Sequence, residues 1–306
     1  MNTKRLQSLI GLLLVAMLLV ACGGQAAEPV AVAPTAAPAV EALPPPSPTP
    51  LPATATPIPP TATTEPPTTT PEPATGLSNE ELAAKIDEYM TMQTEGNRFS
   101  GAVLVARDGE VIISKGYGLA DQEEQIPNTP QTRFRIASLT KAFTAMAIMQ
   151  LQEAGRLNVT DSICNYLPDC PPTWEEITIH HLLTHTSGLP DQFASDREYA
   201  MTRATPTVQG ELLANLQSKP MRTAPGSTYY YKNANYIILG YIIEAVTGRS
   251  YEEVLQAQIF DPLGMTDSGY SHDTEGLAVG YVNQFREADF IDMSHNFAAG
   301  ALYSTV

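Results

Sequence analysis

The chain has 306 residues, long enough for one large domain or two modest ones, and 43% of them are apolar. Its 33 acidic against 17 basic residues leave a net charge of -16, which argues against a nucleic-acid partner. Charged residues make up only 16% of the chain while Pro numbers 26, so the composition is uneven along its length.

Lys4 and Arg5 precede an apolar run at residues 9–21. That run falls short of the about 20 residues a bilayer span needs. A basic start followed by a short apolar core is the pattern of an export signal. The run ends Leu19-Val20-Ala21-Cys22-Gly23, which resembles a bacterial lipobox. The resemblance implies a lipoprotein signal peptide over residues 1–22, with Cys22 as the lipid-modified N-terminus. Two acyl chains give stable membrane attachment where one is marginal. The expected location is therefore extracytoplasmic, on a bacterial cell membrane, with sorting to an outer membrane left open.

Residues 23–76 are mostly Ala, Pro, Thr and Val, with 16 Pro between Pro29 and Pro73 and only Glu28, Glu41, Glu65 and Glu72 as charges. Such a segment lacks the large apolar groups that offset ordering entropy, so it reads as a disordered tether. At about 3.1 Å per residue it would reach roughly 150 Å. Residues 77–306 keep 29 acidic and 15 basic groups and form the folded domain.

Ser78-Asn79-Glu80-Glu81 is a capping box, followed by Leu82, Ile86, Tyr89 and Met90 at helical spacing. Residues 101–106 and 111–114 are strand-like and are joined through Asp108-Gly109, a hairpin signal. A second helix is predicted from Ser138 to Gly155; it is apolar on most sides and should lie in the interior. Residues 178–189 read as a short helix ending in a turn at Ser187-Gly188. A buried helix over 235–246 stops at Gly248, and Ser250-Tyr251-Glu252-Glu253 opens another. With Cys22 assigned to lipid, Cys164 and Cys170 are left as an even pair, and in an exported chain that suggests a small-loop disulfide. His180 and His181 are adjacent and cannot easily converge on one metal, so no metal or cofactor is expected.

Ser138-Leu139-Thr140-Lys141 places a hydroxyl and an amine on one helical face, one turn apart. A serine needs a base to become a nucleophile, and a lysine can serve if burial depresses its pKa. Downstream, Tyr231-Lys232-Asn233 supplies a phenol and an amide. Tyr229 and Tyr230 read as packing and hairpin residues.

Four segments stand in order along the chain: residues 133–141 (Arg-Phe-Arg-Ile-Ala-Ser-Leu-Thr-Lys), His185-Thr186-Ser187-Gly188-Leu189, Tyr231-Lys232-Asn233 and Pro262-Leu263-Gly264-Met265. Together they resemble the serine β-lactamase-related family, which includes class C β-lactamases, D-alanyl-D-alanine carboxypeptidases and related esterases. The resemblance implies an α+β, transpeptidase-like fold, an antiparallel sheet flanked by helices with a helical insertion. It implies Ser138 as the nucleophile of an acyl-enzyme, with Lys141 and Tyr231 sharing proton transfer. Which of the two is the base stays open. Asn233 would contact the substrate amide and the Ser138 N–H would form half an oxyanion hole. His185 takes a structural role, and Lys232, where the family has a smaller residue, points outward. The substrate would be a small molecule or a peptidoglycan-stem-like peptide, with no cofactor.

The family's third motif, Lys-Thr-Gly or His-x-Gly, does not occur after Tyr231. Residues 296–306 resemble the family stretch just before a helix, with Ser304 or Thr305 as its N-cap. Only one hairpin, 101–114, is evident. The expectation is therefore a domain lacking its C-terminal strands and half its oxyanion hole, a loss that typically costs about 10²–10³ in rate. The contrasting expectation is a non-catalytic module of the cell envelope that binds rather than cleaves.

Overall fold

The computed structural model describes residues 76–193, 195–282 and 285–306. The expected signal peptide, Cys22 and the expected tether up to residue 75 lie outside them. Helix α1 (Asn79–Glu95) starts where its capping box predicts: the Ser78 hydroxyl accepts the Glu81 N–H at 3.2 Å, and the Glu81 carboxylate accepts the Ser78 N–H at 2.9 Å. Strands β1 (Gly101–Arg107) and β2 (Glu110–Tyr117) pair antiparallel, Gly101 opposite Tyr117 and Arg107 opposite Glu110. Asp108 and Gly109 at their turn both have positive φ, 54° and 81°, as a tight hairpin turn with the right twist requires. Asp87 ties α1 to β2 by accepting from Lys115 Nζ at 2.6 Å and from the Tyr117 hydroxyl at 2.8 Å.

Beyond the hairpin, β3 (Leu119–Asp121) pairs with β4 (Ile126–Pro127). Then follow β5 (Phe134–Arg135), a 3₁₀ turn (Ala137–Leu139) and α2 (Thr140–Glu153). The helical insertion comprises α3 (Ile179–Leu183), α4 (Asp196–Thr202), α5 (Gln209–Gln217) and α6 (Asn233–Thr247). Helix α7 (Tyr251–Leu255) runs into a π turn (Gln256–Phe260). The chain continues through β6 (Gly269–Tyr270), β7 (Tyr281–Val282), β8 (Arg286–Glu287), α8 (Phe297–Gly300) and β9 (Leu302–Ser304). The architecture is α+β with small antiparallel sheets, as expected. Among the described residues no helix is long and apolar enough to cross a membrane.

Three expectations are corrected. The hairpin is not the only sheet: besides the pairs β3-β4 and β7-β8 there is a three-stranded sheet of order β5-β9-β6, in which Phe134 faces Ser304 and Gly269 faces Tyr303. Ser304 is thus the last residue of the central strand. The sheet is held by the two arginines of the 133–141 segment. Arg133 donates twice to Asp267, and Arg135 donates to the Ser271 hydroxyl and to the carbonyls of Ile291 and Asp273.

The second helix begins at Thr140 rather than Ser138, because residues 137–139 wind as a 3₁₀ turn. Nor is α2 interior all round. Thr140, Lys141, Thr144, Ala147, Ile148 and Leu151 face the core, while Met146 and Met149 are exposed. That core lies among the helices, with Trp174, Leu182, Leu216, Ile237, Ile238 and Tyr251 wholly enclosed. The Cys164–Cys170 disulfide is present.

Candidate active site

The strained Ala137 turns the chain so that Ser138 sits exposed at the mouth of the core while Lys141, one turn later, is buried. Lys141 Nζ donates to Ser138 Oγ at 3.2 Å, to Asn233 Oδ1 at 2.8 Å and to the Ala299 carbonyl at 2.7 Å. Those three acceptors use every hydrogen of an ammonium. Burial nevertheless pushes the Lys141 amine down, against the upward pull of Tyr231. The Tyr231 hydroxyl lies 2.8 Å from Ser138 Oγ, and its ring is 5.0 Å from Lys141 Nζ. Burial raises the Tyr231 phenol, but the interactions with Lys141 and Ser138 outweigh it and leave it below 10.

Three elements thus meet around the Ser138–Lys141 pair. The 3₁₀ turn brings Ser138, the start of α6 brings Asn233, and the extended segment before α6 brings Tyr231. Helix α8 enters through its backbone, since the Ala299 carbonyl is the third acceptor on Lys141. No side-chain pattern announces a carbonyl, and sequence reasoning missed it. It also missed Thr140 and Thr144. The Thr140 hydroxyl accepts the Leu302 N–H at 3.2 Å, while the Thr144 hydroxyl donates to the Ala298 carbonyl and bonds the Tyr251 hydroxyl, each at 2.7 Å. Helical spacing from Lys141 was the available signal, because all three share the core-facing side of α2.

Tyr229 and Tyr230 lie in no hairpin; both are exposed on the segment leading into α6. Lys232 does not stretch into solvent. Its ammonium pairs with Asp191 at 2.6 Å and lies 5.3 Å from the centre of the Tyr230 ring. His185 is buried among aromatic rings, with Tyr231 at 4.5 Å and Tyr236 at 5.2 Å between centroids. The turn after it depends on Gly188, whose φ is 75° and whose added Cβ would fall 2.1 Å from the Thr223 carbonyl oxygen. A cavity of about 400 Å³ lined by Glu244, Tyr251, Tyr270, His272 and Asp292 contains none of the predicted site residues.

A serine hydroxyl held between an amine and a phenol is the arrangement the sequence motifs imply. Residues 82–306 match the beta-lactamase family. The chain belongs to that family. Among its relatives, the putative penicillin-binding protein PbpX of Bacillus subtilis is 36% identical over 211 residues, which cover 67% of this chain and 51% of that one. A penicillin-binding protein from Bacillus halodurans superposes with a TM-score of 0.61 at 32% identity, over 71% of this chain and 70% of that one. The D-amino acid amidase from Ochrobactrum anthropi SV3 gives 0.62 at 27% identity, over 72% and 67%. The fold is therefore that of the beta-lactamase and penicillin-binding proteins. The chain spans about half the length of PbpX.

Proposed function

We propose that this beta-lactamase family member is an extracytoplasmic, lipid-anchored serine hydrolase that cleaves an amide, lactam or ester bond through an acyl-enzyme on Ser138. The observation that carries the reading is the position of Ser138 Oγ, 2.8 Å from the Tyr231 hydroxyl and 3.2 Å from Lys141 Nζ. In the proposed first step Ser138 Oγ attacks the substrate carbonyl carbon and gives up its proton. In this scheme Lys141 is the ammonium that its three acceptors favour, and it has no lone pair to take that proton. Tyr231 is left as the acceptor, its phenolate favoured by the Lys141 charge. Collapse of the tetrahedral adduct breaks the bond to the leaving group, which takes the proton from Tyr231. Water then attacks the ester carbonyl with Tyr231 accepting its proton, and Tyr231 returns that proton to Ser138 Oγ as the ester bond breaks and the acid is freed. The Ser138 N–H is the proposed donor to the oxyanion, and the Asn233 amide, already fixed by Lys141, is the proposed contact for a substrate amide.

The names of the neighbours, a penicillin-binding protein and a D-amino acid amidase, support an amide or lactam as the bond cleaved. The lipobox-like run ending at Cys22 supports attachment to a membrane by lipid, and the Cys164–Cys170 disulfide is compatible with an oxidising compartment. The alternative, a binding module without catalysis, has against it the intact Ser138, Lys141 and Tyr231 cluster. Labelling with a fluorophosphonate probe followed by mass spectrometry decides between them. The expected result is one adduct on Ser138 that disappears in Ser138→Ala; a folded protein that takes no adduct overturns the hydrolase reading. For the anchor, Cys22→Ser should move the protein from the membrane fraction to the soluble one.

A further inference from the structure

The contacts of His185 bracket Tyr231 from both sides. Its carbonyl accepts the Tyr230 N–H at 2.8 Å, and its Nδ1 receives the Lys232 N–H at 3.3 Å. The Tyr231 ring lies against the imidazole, 4.5 Å between centroids and tilted by 39°, with Tyr236 at 5.2 Å and the edge of Tyr229 at 6.0 Å. A second donor reaches the same nitrogen. The Ser187 hydroxyl bonds Asn235 Oδ1 at 2.5 Å, which turns the Asn235 amide N–H₂ toward His185 Nδ1 at 2.9 Å. With two donors aimed at Nδ1, that nitrogen must be the acceptor and the ring proton must sit on Nε2.

We propose that His185 is a positioning residue for the reaction: as a neutral imidazole protonated on Nε2, it holds residues 230–232 so that the Tyr231 hydroxyl stays on Ser138 Oγ. The inference rests on the reading of Ser138 and Tyr231 as the reacting pair. A second proton on Nδ1 would set a donor against two donors and release both the Lys232 backbone and Asn235. It would also place a cation near Lys141. The groups facing the ring are the phenols of Tyr229, Tyr231 and Tyr236 and the ammonium of Lys141, while the Lys232 ammonium is turned to Asp191. Burial, and next the Lys141 charge, hold the imidazole down at about 4. The ring is therefore neutral wherever Lys141 and Tyr231 are to work.

Two substitutions in the full chain separate positioning from mere packing. His185→Asn keeps an acceptor at the place of Nδ1 and loses the ring, while His185→Phe keeps a ring and loses the acceptor. The first readout is the rate of fluorophosphonate labelling of Ser138 against pH. His185→Phe should label about 10²-fold more slowly with unchanged probe affinity, as a displaced reacting group requires. His185→Asn should recover part of the rate and lose the wild-type acid limb near pH 4.

The second readout does not need activity. The Tyr231 phenol, followed by NMR of ¹³C-tyrosine and assigned with Tyr231→Phe, should move up toward 10 in His185→Phe. Equal rates in the two His185 variants, each with the wild-type acid limb retained, overturn the proposal, and so does an unmoved Tyr231 titration. If the folded wild type takes no label, the hydrolase reading falls, and the tyrosine titration alone decides whether His185 sets Tyr231.

Discussion

The Tyr231 hydroxyl contributes chemistry rather than stability, because its ring stays half in solvent while the hydroxyl bonds Ser138. Tyr231→Phe keeps the ring against His185 and should leave the melting temperature nearly unchanged. The same variant should slow Ser138 labelling by about 10²–10⁴-fold, the usual worth of a positioned proton acceptor. A variant that labels at the wild-type rate would remove Tyr231 from the mechanism and return the base to Lys141. His185 governs a different property, the response of stability to acid. Its pKa falls from 6.5 to about 4 on folding, through burial first and Lys141 second. The unfolded chain therefore takes up the proton first, so stability is full above 6.5 and is lost as pH falls toward 4. Glu244, whose carboxyl burial pushes up, works in the opposite sense. The informative quantity is thus the change in urea midpoint between about pH 7 and about pH 5, which should be smaller in His185→Asn than in the wild type. Equal changes in the two proteins would mean that the folded state tolerates a charged His185.

Lys141 depends on α8 for an acceptor, and α8 depends on α6 having no side chain at Gly240. A Cβ there would lie 2.4 Å from Phe297 Cε1 and 2.6 Å from Ala298 Cβ. Phe297 is itself enclosed and packed at a tilt against Tyr241 and Tyr251, so it cannot turn away. Gly240→Ala should therefore push α8 off α6 and cost about 1–3 kcal/mol, as overpacking of a core does. It should slow Ser138 labelling as well, because the Ala299 carbonyl moves with α8; a stable, fast-labelling Gly240→Ala protein would show that α8 only fills space. The same junction marks the boundary of what the sequence made legible. Ser78, Asp108-Gly109 and Gly248 were readable because a cap or a tight turn is dictated by residues a few positions away. Strands of two or three residues such as β5, β6 and β9 show no alternation to read, and their partners lie more than 30 positions apart in the chain. The Ser138–Lys141 pair was legible because both members are side chains at helical spacing. The Ala299 carbonyl, the Asn235 amide on His185 and the Asp191 partner of Lys232 arise from packing of distant segments, and single-sequence spacing carries no trace of them.

At the scale of the whole molecule, two opposing tendencies set how the chain behaves in solution. Among the described residues, β1 pairs with β2 along one edge only, and seven residues of backbone lie along its other edge. Leu104 on β1 and Val111 on β2 are exposed, and Arg107 is the single charge on β1. An open strand edge with apolar neighbours is a template for pairing with another chain. Against this stands the net charge of -16, which makes like copies repel. The repulsion is screened beyond about 10 Å at 0.1 M salt, whereas backbone pairing acts at contact and is not. Raising the ionic strength should therefore favour association, the reverse of an assembly held by salt bridges. The purified chain is expected to gain scattering mass as salt rises from about 0.01 M to about 1 M, and Leu104→Lys, which adds a charge beside the open edge, should hold it monomeric over that range. Light scattering that reports a monomer for the unsubstituted chain at every salt concentration would show that the β1 edge is already covered by other residues of the chain.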